Sequence, residues 1–181
     1  MLGEGARTAR DAQHYFDAYA GALHDMAGSF DRKSKVVAPG ISVKLSALHP
    51  RYEFAQSEFC IPELTERLIA LCEIAAKHNL GLTVDAEEVA RLDPSLKIIE
   101  NICLQSQFAK WDGFGLAVQA YQKAAPYIID HVVSLARMYD RKLQLRLVKG
   151  AYWDTEIKHA QVEGLDDYPV YTRKSNTDVS Y

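Results

Sequence analysis

The stretch LQLRLVKGAYW, from Leu143 to Trp153, sets a strand, a cation and a glycine turn in consecutive positions. Leu143, Leu145 and Leu147 alternate with Gln144, Arg146 and Val148, the period of two that puts aliphatic side chains on one strand face and an arginine on the other. Lys149, Gly150 and Ala151 then leave the strand through a residue that permits a sharp turn, or a ligand close to bare backbone. Tyr152 and Trp153 place two flat rings at the exit. A cation, open backbone and aromatic faces at the end of one strand suit an anionic, planar ligand.

Toward the N-terminus the same pattern recurs. Ile41 to Leu48 sets Ile41, Val43 and Leu45 against Ser42, Lys44 and Ser46; Leu80 to Asp85 sets Leu82 and Val84 against Thr83 and Asp85; Phe114 to Gln119 sets Phe114, Leu116 and Val118 against Gly115, Ala117 and Gln119. Helical spacing fills the gaps. Residues 9 to 28 carry a stripe of Phe16, Tyr19, Ala20, Leu23 and Met26 behind a Thr8/Asp11 capping box. Pro62 opens a second helix with Leu64, Leu68, Leu71 and Ala75 inward and Asn79 as its stop. Asp93 and Pro94 cap a third, with Leu96, Ile99, Ile102 and Cys103. Ile128, Ile129, Val132, Val133 and Ala136 stripe a fourth.

Strands beginning at 41, 80, 114 and 143, each separated by a helix, give the rhythm of βα units and a parallel sheet. A doubly wound sheet buries both strand faces and reads as continuous Val, Ile and Leu. These strands each keep one small or polar face, which suits an α/β fold of (β/α)8 TIM-barrel type, with aliphatics outward against helices and the active site at the C-terminal strand ends. A complete barrel needs about 250 residues. Residues 1–181 are therefore expected to be the N-terminal portion of one, roughly the first five βα units with the C-terminal units missing and no second domain. The end of a further strand is expected at Met1-Leu2, and a partial continuation at Tyr168 to Tyr181 closing on a helix start capped by Asn176 or Thr177.

Composition narrows the function. A net charge of −3 without a long basic run argues against nucleic acid as the partner, the stretches Arg32 to Lys35 and Arg173-Lys174 being short. No apolar run approaches the roughly 20 residues of a membrane span, and MLGEGARTAR has no signal core. Cys60, Cys72 and Cys103 lack paired spacing and the histidines lack ligand spacing, so neither a disulfide framework nor a metal is expected and the default compartment is the cytoplasm.

Lys44, Asp85, Gln119 and Arg146 arrive at strand ends on faces of the same parity. They read either as two internal ion pairs, Lys44 with Asp85 and Arg146 with Glu87 or Glu88, or as a ligand site at the barrel mouth, which is favoured. There is no Rossmann glycine fingerprint, phosphate loop or serine elbow. Lys44 then serves as a carboxylate binder, or as the nucleophile of a Schiff-base lyase. A third reading is a non-catalytic split-barrel module completed by a partner. Tyr15 and Tyr19 read as core, His49 as a loop residue, and Glu87-Glu88 as supporting or surface groups.

ISVKLSALHPRYE (41–53), LTVDAEE (82–88), VQAYQK (118–123), RLVKGAYWDTEIK (146–158) and YPVYTRKSNTDVSY (168–181) resemble the proline dehydrogenase domain of the bifunctional proline-utilization flavoproteins. The resemblance covers essentially the whole chain. It implies FAD-dependent oxidation of L-proline to 1-pyrroline-5-carboxylate by hydride transfer to flavin N5, with electrons passed to a membrane quinone. By the same resemblance Arg146 sits by N5, Gln119 meets the isoalloxazine edge, and Asp85, Val148, Lys149, Gly150, Ala151, Tyr152 and Trp153 line the FAD. Thr172, Arg173 and Lys174 reach its ribityl-pyrophosphate or adenosine part. Lys44 pairs with the proline carboxylate, Tyr152 packs on the pyrrolidine ring, and Asp85 orders the network. It also implies a fused pyrroline-5-carboxylate dehydrogenase domain in the full-length protein and a peripheral position at the inner membrane surface. The family's paired arginines on the last barrel helix fall outside 1–181, so this segment alone is expected to bind FAD weakly and to turn over little proline.

Overall fold

The computed structural model describes residues 2–29 and 38–181; Met1 and the basic stretch 32–35 lie outside the described residues. The element order is α1 (Ala9–Ser29), β1 (Gly40–Val43), α2 (Leu45–Leu48), α3 (Ser57–His78), β2 (Gly81–Val84), α4 (Leu92–Cys103), β3 (Phe114–Gln119), α5 (Ala125–Met138), β4 (Gln144–Val148), α6 (Trp153–Val162) and α7 (Lys174–Ser180). The strands form one parallel sheet in the order β1-β2-β3-β4. A sheet whose spatial order equals its chain order has no switch point, and right-handed crossovers then put every connection on the same side. This is the singly wound arrangement of a barrel wall.

Register fixes the two faces. Ile41 pairs with Leu82, Leu82 with Phe114, and Leu116 with Leu145, so the aliphatic positions form continuous rows. Val43, Leu82, Val84, Leu116 and Val118 are buried there against Leu64, Leu68 and Leu71 of α3, Ile98, Ile99 and Ile102 of α4, and Ile128 and Val132 of α5. On the other face Ser42 lies level with Thr83, Gly115 and Gln144, and Ala117 with Arg146. The chain packs Gly115 so closely on β4 that a Cβ there would lie 2.0 Å from the Gln144 carbonyl oxygen. Leu145 remains 37% exposed, which marks β4 as the edge of this sheet.

Local chemistry explains the boundaries. Thr8 and Asp11 exchange backbone-to-side-chain bonds at 2.9 and 3.1 Å, a reciprocal cap that starts α1. Asn79 closes α3 in the left-handed conformation at φ 55°. Elsewhere the expected boundaries shift. The strand read over 41–48 stops at Val43, because Leu45, Ser46, Ala47 and Leu48 all turn inward as α2 and the Lys44 N–H donates to the Tyr19 hydroxyl instead of a ladder. Helix α3 begins at Ser57, not at Pro62, which sits inside its first two turns on an exposed face. Asp93 and Pro94 fall inside the first turn of α4, which begins at Leu92. In α5 the buried stripe runs through Leu135, while Val133 faces outward. Helix α7 follows Arg173, with Thr177 buried in its interior and not capping it. Leu2 is in no strand, the 168–181 region contributes one antiparallel bridge, Val170 to Gln122, and the described residues hold four strands with α1 preceding the first.

Gly115→Ala is expected to cost at least about 2 kcal/mol of unfolding free energy by overpacking against β4. Gly21→Ala, mid-helix with nothing within 4 Å of the added Cβ, should gain about 0.5–1 kcal/mol. Urea denaturation of the two variants beside the parent checks both signs.

Candidate active site

Each strand delivers one polar side chain to the same rim. Lys44 follows β1, Asp85 follows β2 with its N–H on the Val43 carbonyl at 2.9 Å, Gln119 ends β3, and Arg146 lies in β4. Together with the turn from Lys149 to Tyr152 they line one open cavity of about 300 Å³. Ala117 and Val148 give it an apolar floor.

Two ion pairs order the rim, and they differ from the pairs read from the sequence. Arg146 bonds the Asp85 carboxylate and, through its other terminal nitrogen, the Ser42 hydroxyl at 2.7 Å, so β4 reaches across the interior face to β2 and β1. Lys44 pairs with Glu4, Nζ to Oε1 at 2.7 Å, and meets the Tyr152 hydroxyl at 2.5 Å. Tyr152 closes the triangle through a 2.8 Å bond to Glu4. The pairing fails as first read because Arg91 already holds both Glu87 and Glu88, at 3.3 and 2.9 Å. Burial pulls the Lys44 ammonium down, but Glu4 and Tyr152 outweigh it and hold it above its ordinary range. The Lys44 hydrogen bond holds Glu4 below the usual carboxylate range, and burial pushes Tyr152 up to about 12. At neutral pH the triangle is therefore cation, anion and neutral phenol.

The turn is clasped by side chains from the end of β3 and just beyond it. Gln119, 2% exposed, donates to the Glu87 carbonyl at 2.9 Å and accepts from the Ala151 N–H at 3.0 Å. Gly150 adopts φ 138°, and a Cβ there would lie 2.5 Å from the Tyr121 ring. The glycine thus serves packing on Tyr121. Beneath the rim Glu87, 7% exposed, accepts from the Ser46 N–H at 3.0 Å, and burial raises its carboxyl.

Other expected site residues lie outside this cavity. Trp153 donates its indole N–H to the Tyr171 carbonyl at 2.9 Å, Thr172 and Arg173 are exposed, and Lys174 pairs with Asp178 at 2.6 Å. Lys149 lines the cavity yet also pairs with Asp178, at 2.5 Å. His49 bonds Glu63 at 3.2 Å, Tyr19 is core with its hydroxyl on the Gly3 carbonyl, and Cys60, Cys72 and Cys103 are free and buried. Among the described residues no cluster of His, Cys, Asp and Glu can hold a metal, and no helix is long and apolar enough to cross a membrane. Sequence reasoning missed Glu4, Ser42 and Tyr121. Glu4 gives no signal, lying in irregular chain before α1, whereas Tyr121 continues the alternation two residues beyond Gln119.

Fold and rim together define an α/β protein of (β/α)8 barrel type with a polar cavity at the C-terminal strand ends. The sequence matches the proline dehydrogenase family over residues 1–181, and the chain belongs to that family. It is 51% identical over 181 residues to the bifunctional protein PutA of Salmonella typhimurium and 50% identical to that of Klebsiella aerogenes, in each case covering 100% of this chain and 14% of the relative. A crystal structure of a Bradyrhizobium japonicum proline utilization A mutant matches with a TM-score of 0.97 at 55% identity, over 100% of this chain and 19% of that one. Proline utilization A from Bdellovibrio bacteriovorus inactivated by N-propargylglycine matches with a TM-score of 0.91 at 25% identity, over 99% and 20%. The chain thus spans 14% of the length of these curated relatives.

Lys44→Met is expected to cost about 1 kcal/mol, the scale of a partly exposed pair. Because the Glu4 carboxyl is depressed in the folded state, its contribution is present above its unfolded value near 4.5 and is lost as pH falls through the folded value. The difference between parent and variant should stay constant between about pH 6 and 9 and shrink below about pH 4. Chemical denaturation across that range measures it.

Proposed function

We propose that this chain contributes to the FAD-dependent oxidation of L-proline to 1-pyrroline-5-carboxylate. The observation that carries the reading is the convergence of Lys44, Asp85, Gln119 and Arg146, from four successive strands, on one cavity. Family membership supplies the reaction class.

The residues fit a flavin. The cavity, about 300 Å³, is at the small end of ligand sites, which run from about 300 to 1,000 Å³. It admits a planar ring system but not a whole dinucleotide. Its apolar floor, half-exposed Arg146 and the amide of Gln119 suit the isoalloxazine, with Asp85 and residues 148–152 lining it. The rest of the cofactor then falls to Lys149, Trp153, Thr172, Arg173 and Lys174. Bound FAD supplies a two-electron acceptor for the C–H bond next to the ring nitrogen, while the nitrogen proton is released and a C=N bond forms.

The chain's own groups prepare that step. Arg146, fixed by Asp85 and Ser42, sets a positive charge where the acceptor gains negative charge. An ammonium carries three donors, and Lys44 spends two on Glu4 and Tyr152; the third has no partner among the described residues and can take the proline carboxylate. Tyr152, neutral at physiological pH, presents its ring to the pyrrolidine. The Schiff-base alternative meets a physical obstacle, because a nucleophilic lysine needs a lowered pKa and Lys44 is held above its ordinary range. Electron delivery to a membrane quinone, a fused pyrroline-5-carboxylate dehydrogenase and a cytoplasmic position at the inner membrane surface complete the proposal for the longer protein.

In the FAD-loaded enzyme, Arg146→Met is expected to lower kcat about 100-fold, and Lys44→Ala to raise KM for L-proline 10-fold or more with little change in kcat. The 181 residues alone, with Arg146 half exposed and β4 unpaired on one edge, should bind FAD weakly and bleach little with proline. Flavin absorbance with and without L-proline reads all three. A Lys44→Ala enzyme with unchanged KM would remove the carboxylate role.

A further inference from the structure

Two consecutive backbone N–H groups of the turn that follows β4 are held by side chains from the last residue of β3 and from the turn just beyond it. Ala151 N–H donates to Gln119 Oε1 and Tyr152 N–H donates to the Tyr121 hydroxyl at 3.2 Å. Gln119 is the last residue of β3 and Tyr121 stands two residues beyond it. Tyr121 does more than accept one bond. Its N–H donates to the Lys149 carbonyl at 2.8 Å, directly after Ala120 donates to Val148 at 2.7 Å, which prolongs the β3–β4 ladder beyond the last strand residue. Its carbonyl accepts from Tyr171 N–H at 2.8 Å, tying the turn to the segment before α7. Its ring, 3% exposed, occupies the space that a Gly150 side chain would need.

We infer that Tyr121 is a positioning residue for the substrate side of the site: it fixes the backbone of Tyr152, and through it the phenol that meets Lys44 and Glu4. The inference rests on the proposed proline-oxidising role of the cavity. Tyr121 lies under the turn and its effect passes entirely through residues 149–152. The division of labour is specific. The ring sets the path of the turn at Gly150, and the hydroxyl sets the rotation of the peptide that carries Tyr152. Removing the hydroxyl alone leaves the ring packing intact and frees one half-buried N–H, so Tyr152 swings while the floor of the cavity stays in place.

The test uses the holoenzyme that contains this chain, with Tyr121→Phe, Tyr152→Ala and the double variant. Tyr121→Phe is expected to keep full flavin content, to raise KM for L-proline about fivefold with kcat within twofold, and to speed amide exchange at Tyr152 at least tenfold. Exchange within β3 and β4 should not change. In the Tyr152→Ala background, where neither ring nor hydroxyl remains to be placed, the added KM effect of Tyr121→Phe should vanish. Unchanged exchange at Tyr152, or a KM effect that persists undiminished in the double variant, overturns the inference. The exchange measurement needs no turnover, so a parent enzyme that fails to oxidise proline removes the functional reading while exchange still decides whether Tyr121 holds Tyr152.

Discussion

Parallel strands laid side by side in chain order can be connected only by crossovers on one face, and everything else in this protein follows from that constraint. The helix face must then be apolar and the opposite face need not be. Val43, Leu82, Val84, Leu116 and Val118 are buried on the first, each contributing about 1.5–3 kcal/mol relative to exposure. That burial does not depend on what the other face carries. Except at Gly115, where β4 packs too closely to admit a side chain, residues on that face such as Ser42, Thr83, Ala117 and Arg146 are free of the demand for apolar burial, which is why chemistry concentrates there.

The price of that freedom is a rim of charges in partly dry surroundings, and the structure meets it by pairing groups from distant parts of the chain. Arg146 joins Asp85 and Ser42, while Lys44 joins Glu4 and Tyr152. The two clusters share one cavity but no common partner, so each keeps a distinct task. One side fixes a guanidinium, which lies flat and cannot lose its proton. The other holds an ammonium, with one donor unpaired among the described residues, beside a neutral phenol. Below them Glu87 and Arg91 lock the chain after β2, and Glu87 ties it to α2 through Ser46. Arg91 therefore serves the support and not the rim.

Much of this was legible in the sequence because parity along a strand is a local property. The alternation of Leu145, Arg146 and Leu147 states the face of Arg146 without reference to the rest of the chain, and the same holds for Asp85 and Gln119. The partners were not legible, because pairing depends on distances across the sheet. The alternative that pairs Lys44 with Asp85 has only their shared place at strand ends to go on, whereas Glu4, forty residues earlier and outside any regular element, is the carboxylate that meets Lys44. Boundaries failed for a related reason. Leu45 fits an alternating strand as well as it fits α2, and only the burial of all four residues from Leu45 to Leu48 separates the two. The meaning of Gly150 was half legible: its sharp turn follows from residue type, but the ring of Tyr121 beneath it does not.

Precision at such a site depends on how rigid the carrier of each group is. Lys44, Asp85, Gln119 and Arg146 sit in or directly after strands, and β3 is buried along all six of its residues with a paired strand on either side. Tyr152 has no such support of its own, since it belongs to a turn leaving the edge strand. A loop at an edge is where local opening begins. The turn gains its order from the end of β3 and the residues just beyond it, through Gln119 on the Ala151 N–H and Tyr121 on the Tyr152 N–H and the Gly150 backbone. The fully buried, doubly paired strand of the sheet thus lends its position to a turn on an edge strand. That arrangement lets a turn carry a side chain whose hydroxyl lies within hydrogen-bond reach of Lys44.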